Sequence, residues 1–176
     1  EDASALKKQL SDIEVTIGYE NGVQQVFLNG ENVTGLIRTE QVSDMTSRSS
    51  AKPQVREKLT ELQRTLAKKE DVLMDGRDIG TMILPDAQLK IFLTASVKTR
   101  AERRYKEQIE KGESCTLEEI ERDIEERDYR DSHRETAPLR QAEDAVLVDS
   151  SDMTIDEVVA AIVALARERM QMAACR

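Results

Sequence analysis

Three short apolar runs, each ending in a polar residue, limit what this chain can fold into. They are residues 71–75 (Asp-Val-Leu-Met-Asp), residues 89–94 (Leu-Lys-Ile-Phe-Leu-Thr) and residues 145–149 (Ala-Val-Leu-Val-Asp). Runs of this length suit strands that are covered on both faces, and the segments between them carry helical patterns. The sequence therefore predicts an α/β fold with a parallel core sheet.

A different pattern near the start of the chain predicts a small antiparallel sheet. Apolar residues alternate with polar ones from residue 13 to residue 17, as in a strand with one buried face. Asn21-Gly22 and Asn29-Gly30 flank the next apolar stretch, and Asn-Gly supplies the positive φ angles of a tight hairpin turn. We therefore expect a three-stranded meander over residues 13–33, which forms a small subdomain of its own.

Helix start and stop signals occur in the rest of the chain. Pro53 opens one helix at a position where its missing N–H costs nothing, and Ser96 begins a second helix that Gly112 ends. Two more helices begin with capping boxes of the form Thr-x-x-Glu, at residues 116–119 and 154–157. These helices alternate with the apolar runs, which agrees with the α/β prediction.

Composition excludes several classes of function. The 176 residues carry a net charge of −9, so a broad surface for the backbone of a nucleic-acid polymer is not expected. No apolar stretch is long enough to span a membrane. Cys115 and Cys175 make no metal-ligand or redox spacing, and we interpret both as free thiols in a reducing cytoplasm.

The first candidate site is the segment Asp75-Gly-Arg-Asp-Ile-Gly80. It follows a predicted strand, and in open α/β sheets ligands bind at the carboxyl ends of strands. An aspartate at this place can hold Mg²⁺ through water, and we assign this role to Asp75. The alternative is an ordinary Asp-Gly turn with Arg77 and Asp78 in solvent, and the pattern alone does not decide between the two.

Two groups of arginines form the other candidates. Arg127, Arg130 and Arg134 are spaced so that they share one face of a helix. Arg100 and the pair Arg103-Arg104 lie in the helix after the second apolar run. Taken alone, each group fits an exposed helix with many salt bridges better than it fits a ligand site. Together with a strand-end aspartate they suggest phosphoryl transfer, which needs positive groups and a metal around the moving phosphoryl.

Longer motifs give the chain a family resemblance. They occupy residues 75–81, 84–87, 90–93, 101–104, 126–131 and 137–139, together with residues 35–38 and 53–56. In these motifs the chain resembles bacterial cytidylate kinases over nearly its whole length. The resemblance implies the three-layer P-loop nucleoside monophosphate kinase fold, with a parallel core sheet and a small antiparallel β insert. It also implies transfer of the γ-phosphoryl of ATP to CMP or dCMP, with Mg²⁺.

The resemblance implies which side chains would recognise the base. These are Ser47, Arg56 and Asp78, which would contact the cytosine. The chemistry is suitable, because serine and aspartate can read the amino group of cytosine and arginine can donate to its carbonyl. Buried polar groups that fit one base reject another by leaving partners unpaired.

The resemblance also implies which charged side chains would face the phosphates. Those on the CMP side are Arg77, Arg127, Asp131 and Arg134, and those on the ATP side are Arg103 and Arg104. Arg77 and Arg134 would hold the CMP phosphate, whereas Arg127 and Asp131 would hold the ribose or close over the phosphates. The three arginines of the CMP side are therefore the expected catalytic residues.

One expected motif of the family does not occur among the 176 residues. It is Gly-x-x-x-x-Gly-Lys-[Ser/Thr], whose backbone and lysine cradle the phosphates of ATP. We therefore expect the parallel sheet to be incomplete, with the N-terminal quarter of a full kinase absent and little activity for this chain alone. A complete enzyme is expected to be a monomer, whereas an incomplete sheet could associate through its open edge.

The expected organisation has two parts. Residues 1–50 would form the CMP-binding insert with its meander, and residues 51–176 the rest of the kinase core, with a lid at about residues 97–136. The expected partners are CMP or dCMP and ATP, with no nucleic-acid polymer and no membrane. The alternative that the sequence leaves open is a non-catalytic module that binds a nucleotide or another protein.

Overall fold

The computed structural model describes residues 3–50 and 52–174 of the chain, except for a few side chains in the first two helices. The chain forms two compact units, residues 1–73 and residues 74–176. The elements of the first unit are α1 (Ala3–Ser11), β1 (Val15–Glu20), β2 (Val23–Leu28), β3 (Glu31–Asn32), α2 (Glu40–Ser49) and α3 (Pro53–Lys69). This division does not test the predicted functional boundary at residue 50, which stays a prediction.

The strands of the first unit form the predicted meander. They pair antiparallel in the order β1-β2-β3, and the turns close at Glu20–Val23 and Leu28–Glu31. Asn21 and Asn29 have φ angles of 51° and 50°, and the glycines after them have 77° and 83°. Both central residues of each turn are therefore left-handed, which matches the right-handed twist of the strands and fixes their register.

Of the helices α2 and α3 in the first unit, only α3 was predicted from the sequence. Helix α3 begins at Pro53 as predicted, and it contacts α1. Helix α2 is not among the sequence predictions, because Val42 and Met45 alone give too sparse an apolar stripe to reveal it. Its start is nevertheless encoded locally, since the Thr39 hydroxyl accepts a hydrogen bond from the Val42 N–H at 3.2 Å.

The second unit contains the parallel sheet. Its elements are a π-helical turn (Ile79–Ile83), β4 (Ile91–Thr94), α4 (Val97–Glu110), α5 (Leu117–His133), β5 (Val146–Asp149) and α6 (Ile155–Ala174). Strands β4 and β5 pair in parallel, with Ile91 opposite Val146 and Thr94 opposite Asp149. This mixed α/β arrangement confirms the predicted fold class and two of the three predicted core strands.

The third predicted core strand is wrong. Residues 71–75 have no regular secondary structure, and Val72 and Leu73 are 38% and 96% exposed. A strand persists only where a neighbour binds its backbone N–H and C=O groups, and none of the described residues pairs with this segment. Asp75 therefore lies in an irregular segment rather than at the end of a strand.

The π-helical turn follows this segment directly. The Asp78 carbonyl accepts hydrogen bonds from the Met82 and Ile83 N–H groups at 2.8 and 3.3 Å. A Cβ atom on Gly80 would lie 3.3 Å from the Lys90 side chain, so the glycine allows the turn to lie against that side chain. The turn buries Ile83 and thereby anchors the segment that carries Asp78.

The best-buried core lies between α4 and α5. Ala101 is fully buried and touches Ile120 and Ile124, and Tyr105 and Cys115 pack at the margin. Burying each isoleucine side chain contributes about 1.5–3 kcal/mol, which ties the two charged helices together. Both helix starts are capped as predicted, by the Ser96 hydroxyl on α4 and by a capping box on α5.

Two predictions from composition can be compared with this structure. Within residues 3–50 and 52–174, no helix has both the length and the apolar character needed to cross a bilayer. Cys115 is a free thiol, as predicted. Cys175 lies outside the described residues.

Candidate functional site

The site is built around the Asp131 carboxylate, in the last turn of α5. Arg77 donates its Nε–H to Asp131 Oδ2 at 3.0 Å, and Arg127 Nε lies 3.9 Å from the same oxygen. Arg134 Nη1 lies 3.9 Å from the other oxygen, Oδ1. We call these four residues the arginine cluster. The structure thus brings together the three arginines expected to be catalytic and the aspartate expected beside them.

The helix accounts for most of this arrangement. Arg127 and Asp131 lie one turn apart on the same face of α5, and Arg134 is the extended residue that directly follows the helix. Arg77 comes from the irregular segment before the π-helical turn. The Asp131 side chain is 16% exposed and offsets only one of the three positive charges around it. The cluster therefore favours binding of an anion.

Arg134 has a spare donor. Its Nε–H donates to the Ala137 carbonyl at 2.6 Å, and its Nη1 faces Asp131. Its Nη2 is buried and makes no hydrogen bond to the described residues. Leaving a buried donor of a charged group unsatisfied is costly, so the arrangement suits an incoming acceptor such as a phosphate oxygen.

The arginines of α4 are arranged differently. Arg100 donates two hydrogen bonds to Asp128, at 3.0 and 2.6 Å, and a third to the Ala95 carbonyl at 3.0 Å. This pair connects α4 to α5. Arg103 donates to the Ser150 and Met153 carbonyls at 2.6 and 3.0 Å, so its guanidinium holds the loop between β5 and α6. Arg104 is exposed.

The residues expected at the cytosine are divided between the two units. Arg56, on α3, donates to the Ser50 carbonyl at 3.4 Å. Ser47 lies on α2, and its side chain is outside the part of the chain that the structure describes. Asp78 belongs to the second unit, is half-buried, and precedes the π-helical turn. Their contacts with a base stay a prediction.

A metal site of protein ligands alone is not found in the described residues. No group of three or more His, Cys, Asp or Glu side chains there could hold a metal ion. Asp75 is an exposed, single carboxylate. Mg²⁺ is commonly bound through one or two carboxylates together with substrate phosphates, so Asp75 fits a cation that a nucleotide brings.

Some contributions to the site carry no signal that sequence reasoning can use. Ala137 supplies the acceptor for Arg134, and neither its type nor its spacing marks it. Asp128 pairs with Arg100 although it resembles the neighbouring acids in type and position. His133 is exposed, and its ring stacks on Tyr129 with ring centres 4.0 Å apart.

Two other carboxylates of the second unit are held in the ionised form. Lys90 Nζ donates to Asp144 at 2.8 Å and lowers the pKa of that carboxyl. The Ser151 hydroxyl and N–H donate to Asp149, at the end of β5, and lower its pKa as well. These three hydrogen bonds stabilise the segments beside the parallel strands.

The chain is similar to known proteins over nearly its whole length. The family model for cytidylate kinase matches residues 1–168. A cytidylate kinase of Ligilactobacillus salivarius is 50% identical over 169 residues, which cover 96% of this chain and 75% of that protein. Cytidylate kinases of Lactobacillus johnsonii and Streptococcus pneumoniae are 47% and 50% identical, over 97% of this chain and 74% and 77% of theirs. The chain therefore belongs to the cytidylate kinase family of phosphotransferases, as its motifs predicted.

Proposed function

We propose that this chain serves the transfer of the γ-phosphoryl of ATP to CMP or dCMP, and that the arginine cluster holds the phosphate of CMP. The observation that carries the proposal is the buried Nη2 of Arg134, which has no partner among the described residues and lies in a cluster with excess positive charge. A phosphate oxygen would satisfy this donor. Membership of the cytidylate kinase family supports the same chemistry.

The proposed roles follow from the contacts. Arg77 and Arg134 donate to the phosphate of CMP, and Arg127 neutralises charge that develops on the moving phosphoryl. Asp131 keeps the three guanidinium groups apart and oriented, because each of them faces one of its two oxygens. It also offers a carboxylate oxygen to a ribose hydroxyl.

The remaining roles are proposed from the resemblance. Ser47, Arg56 and Asp78 read the cytosine. Arg104 is exposed and available to the phosphates of ATP, whereas Arg103 acts by holding the loop that follows β5. Helices α4 and α5 form the lid. Mg²⁺, when bound with ATP, neutralises charge on the phosphates, and Asp75 would hold it through water.

We further propose that the 176-residue polypeptide, prepared by itself, binds CMP but transfers phosphoryl slowly. None of its residues forms the Gly-x-x-x-x-Gly-Lys cradle that positions ATP. Leu93 and Leu147, on β4 and β5, are about half exposed, which supports association of such a polypeptide through its sheet. Sedimentation and a coupled kinase assay test these two points. The cytoplasm is the compartment that we propose.

Calorimetric titration of the 176-residue chain with CMP, in buffer with Mg²⁺ and without ATP, tests the proposed binding. Cytidine is the matched ligand, since it lacks only the phosphate. We expect CMP to bind at least about tenfold more tightly than cytidine, because charge-assisted hydrogen bonds to phosphate contribute about 1.5–3 kcal/mol each.

The variants Arg134→Gln and Arg122→Gln complete the test. Both remove one positive charge, Arg122 from within α5 and Arg134 from the residue after it, but Arg122 is exposed and stands outside the arginine cluster. We expect only Arg134→Gln to abolish the preference for CMP. Equal affinities for CMP and cytidine in a well-folded wild-type chain would contradict the proposed phosphate site and favour a module that binds something else.

A further inference from the structure

The turn after α5 contains a residue in an unusual conformation. Ala137 has a φ angle of +51°, in the left-handed region that non-glycine residues rarely adopt. It is buried, and Pro138 follows it, which further restricts its backbone. Residues persist in such conformations only where their surroundings hold them there.

Two hydrogen bonds hold this turn against the end of α5. The Ala137 carbonyl accepts the Nε–H of Arg134 at 2.6 Å, and the Leu139 N–H donates to the Asp131 carbonyl at 2.8 Å. The turn therefore returns to the two residues of the arginine cluster that lie nearest to it. Because guanidinium is planar, a bond at Nε that fixes its orientation also fixes Nη1 and Nη2.

We propose that Ala137 is a positioning residue: its left-handed backbone aims the carbonyl at Arg134 Nε, and this holds Nη2 ready for an anion before the anion binds. The inference rests on the proposed function for the identity of that anion, the phosphate of CMP. It does not rest on it for the orientation of Arg134, which is a property of the protein without ligand.

Alanine suits this task better than its neighbours in size. Glycine adopts positive φ without strain, but it leaves the turn free to sample other conformations. A β-branched residue such as valine is strongly disfavoured at positive φ. The series Ala137→Gly and Ala137→Val therefore varies how firmly the carbonyl is aimed. Thr136→Val is the control, because it places the same side chain at the exposed neighbouring position.

The first measurement is the hydrogen exchange of the Arg134 Nε–H by NMR, on the 176-residue chain without ligand. The exposed Arg104 serves as the internal reference. We expect the Nε–H of Arg134 to exchange at least about tenfold more slowly than that of Arg104, because it is hydrogen-bonded and partly buried. Ala137→Val should remove this protection, Ala137→Gly should reduce it, and Thr136→Val should leave it unchanged.

The second measurement is the ratio of CMP to cytidine affinity in the same proteins. Loss of positioning should lower this ratio in Ala137→Val while cytidine binding is retained, whereas a general loss of structure would weaken both ligands alike. If Ala137→Val does not fold, the wild-type exchange rate and the Ala137→Gly variant still decide.

The two readouts separate the possible failures. Exchange of Arg134 as fast as that of Arg104 in the wild type overturns the inference, and so does unchanged protection in a folded Ala137→Val. Slow exchange in a wild-type chain that has no preference for CMP over cytidine supports the positioning and overturns only the proposed function.

Discussion

Two regions of the second unit use arginine and aspartate in opposite ways. At the α4–α5 contact, Arg100 directs three donors at Asp128 and Ala95. In the arginine cluster, Asp131 faces three arginines, and Arg134 keeps a buried Nη2 without a partner among the described residues. Each nitrogen of Arg100 thus has an acceptor, whereas one buried nitrogen of Arg134 has none among the described residues. The residue types are the same, so the partners of each donor distinguish a structural ion pair from a binding site.

The difference has a physical basis. A guanidinium whose nitrogens all have acceptors gains these hydrogen bonds on folding, and it has no unpartnered nitrogen left for a ligand. The arginine cluster lacks part of that gain, because a buried donor without a partner and an excess of like charge both destabilise the folded state. A bound anion would recover this free energy. Removing an arginine should therefore affect stability in the first region and ligand affinity in the second.

The largest effect is expected for Arg134→Gln. Loss of the guanidinium should lower CMP affinity about 100-fold, because truncating one partner of a buried, hydrogen-bonded charge pair costs about 2–5 kcal/mol. Stability should fall by less than the binding free energy, since the variant loses the hydrogen bond to the Ala137 carbonyl but also removes a buried unsatisfied donor. Calorimetry with CMP and thermal unfolding of the free protein measure the two quantities.

Arg122→Gln provides the reference for the loss of one positive charge on α5. A drop in CMP affinity of the same size in both variants would show that net charge, rather than the position of Arg134, controls binding. A large drop in the melting temperature of Arg134→Gln would place Arg134 with the structural pairs and remove the contrast between the two regions.

Arg100→Gln should have the reverse signature. It removes both hydrogen bonds to Asp128 and the bond to the Ala95 carbonyl, so we expect a loss of about 1–2 kcal/mol in the free energy of unfolding. The ratio of CMP to cytidine affinity should stay at the wild-type value. Urea unfolding measures the first and calorimetry the second.

The matched control for this variant is Lys106→Gln, which removes one exposed positive charge from the same helix. We expect it to unfold at the wild-type urea concentration. Should Arg100→Gln be as stable as this control, the bidentate pair would contribute nothing measurable, as many surface ion pairs do.

The sequence predicted best those parts of the fold that depend on contacts between residues close together in the chain. Asn21-Gly22 and Asn29-Gly30 determine the hairpin register within a few residues, and the boxes at residues 116–119 and 154–157 cap their own helices. The apolar run at residues 71–75 has the composition of a buried strand, but strand formation depends on a partner elsewhere. Local sequence therefore predicts the turns and caps better than the sheet.

The same reasoning applies to the site. The spacing of Arg127 and Arg134 predicted that they lie close together, although Arg134 follows the end of the helix, and the family resemblance joined Arg77 and Asp131 to them. Arg103 donates to backbone carbonyls of a segment far away in the chain. Ala137 orients Arg134 through an unusual backbone angle. Residue type and spacing predict neither of these two contacts.

A smaller effect is expected for Thr116→Ala, at the N-terminus of the helix that carries both regions. Its hydroxyl accepts the Glu119 N–H, and the Glu119 carboxylate accepts the Thr116 N–H in return. Losing the cap should lower the free energy of unfolding by about 1 kcal/mol. The preference for CMP over cytidine should persist, because the arginine cluster lies at the other end of α5.

Thr116→Ser retains the hydroxyl and serves as the control for this cap. We expect it to retain most of the stability that Thr116→Ala loses in urea unfolding. Equal losses in the two variants would mean that the methyl group of threonine, and not its hydroxyl, stabilises the start of α5.

The smallest effect should come from an ion pair that is exposed to water. Lys111 Nζ contacts Glu107 at 2.6 Å at the end of α4, and this bond lowers the pKa of Glu107 from 4.5 and raises that of Lys111. A lowered pKa in the folded state stabilises the protein above pH 4.5, and the contribution is lost as the pH falls through the folded value. Because both side chains are more than half exposed, salt should screen the pair.

Thermal unfolding from pH 3 to pH 6, at low and high salt, measures this contribution in the wild type and in Lys111→Gln. We expect the two proteins to differ slightly near pH 6 at low salt and to converge at acid pH or in high salt. A difference in melting temperature that persists at high salt would mean that exposure to solvent does not weaken this ion pair. Paired charges would then stabilise the fold whether or not they are exposed, and the contrast between Arg100 and Arg134 would rest only on the partners of their donors.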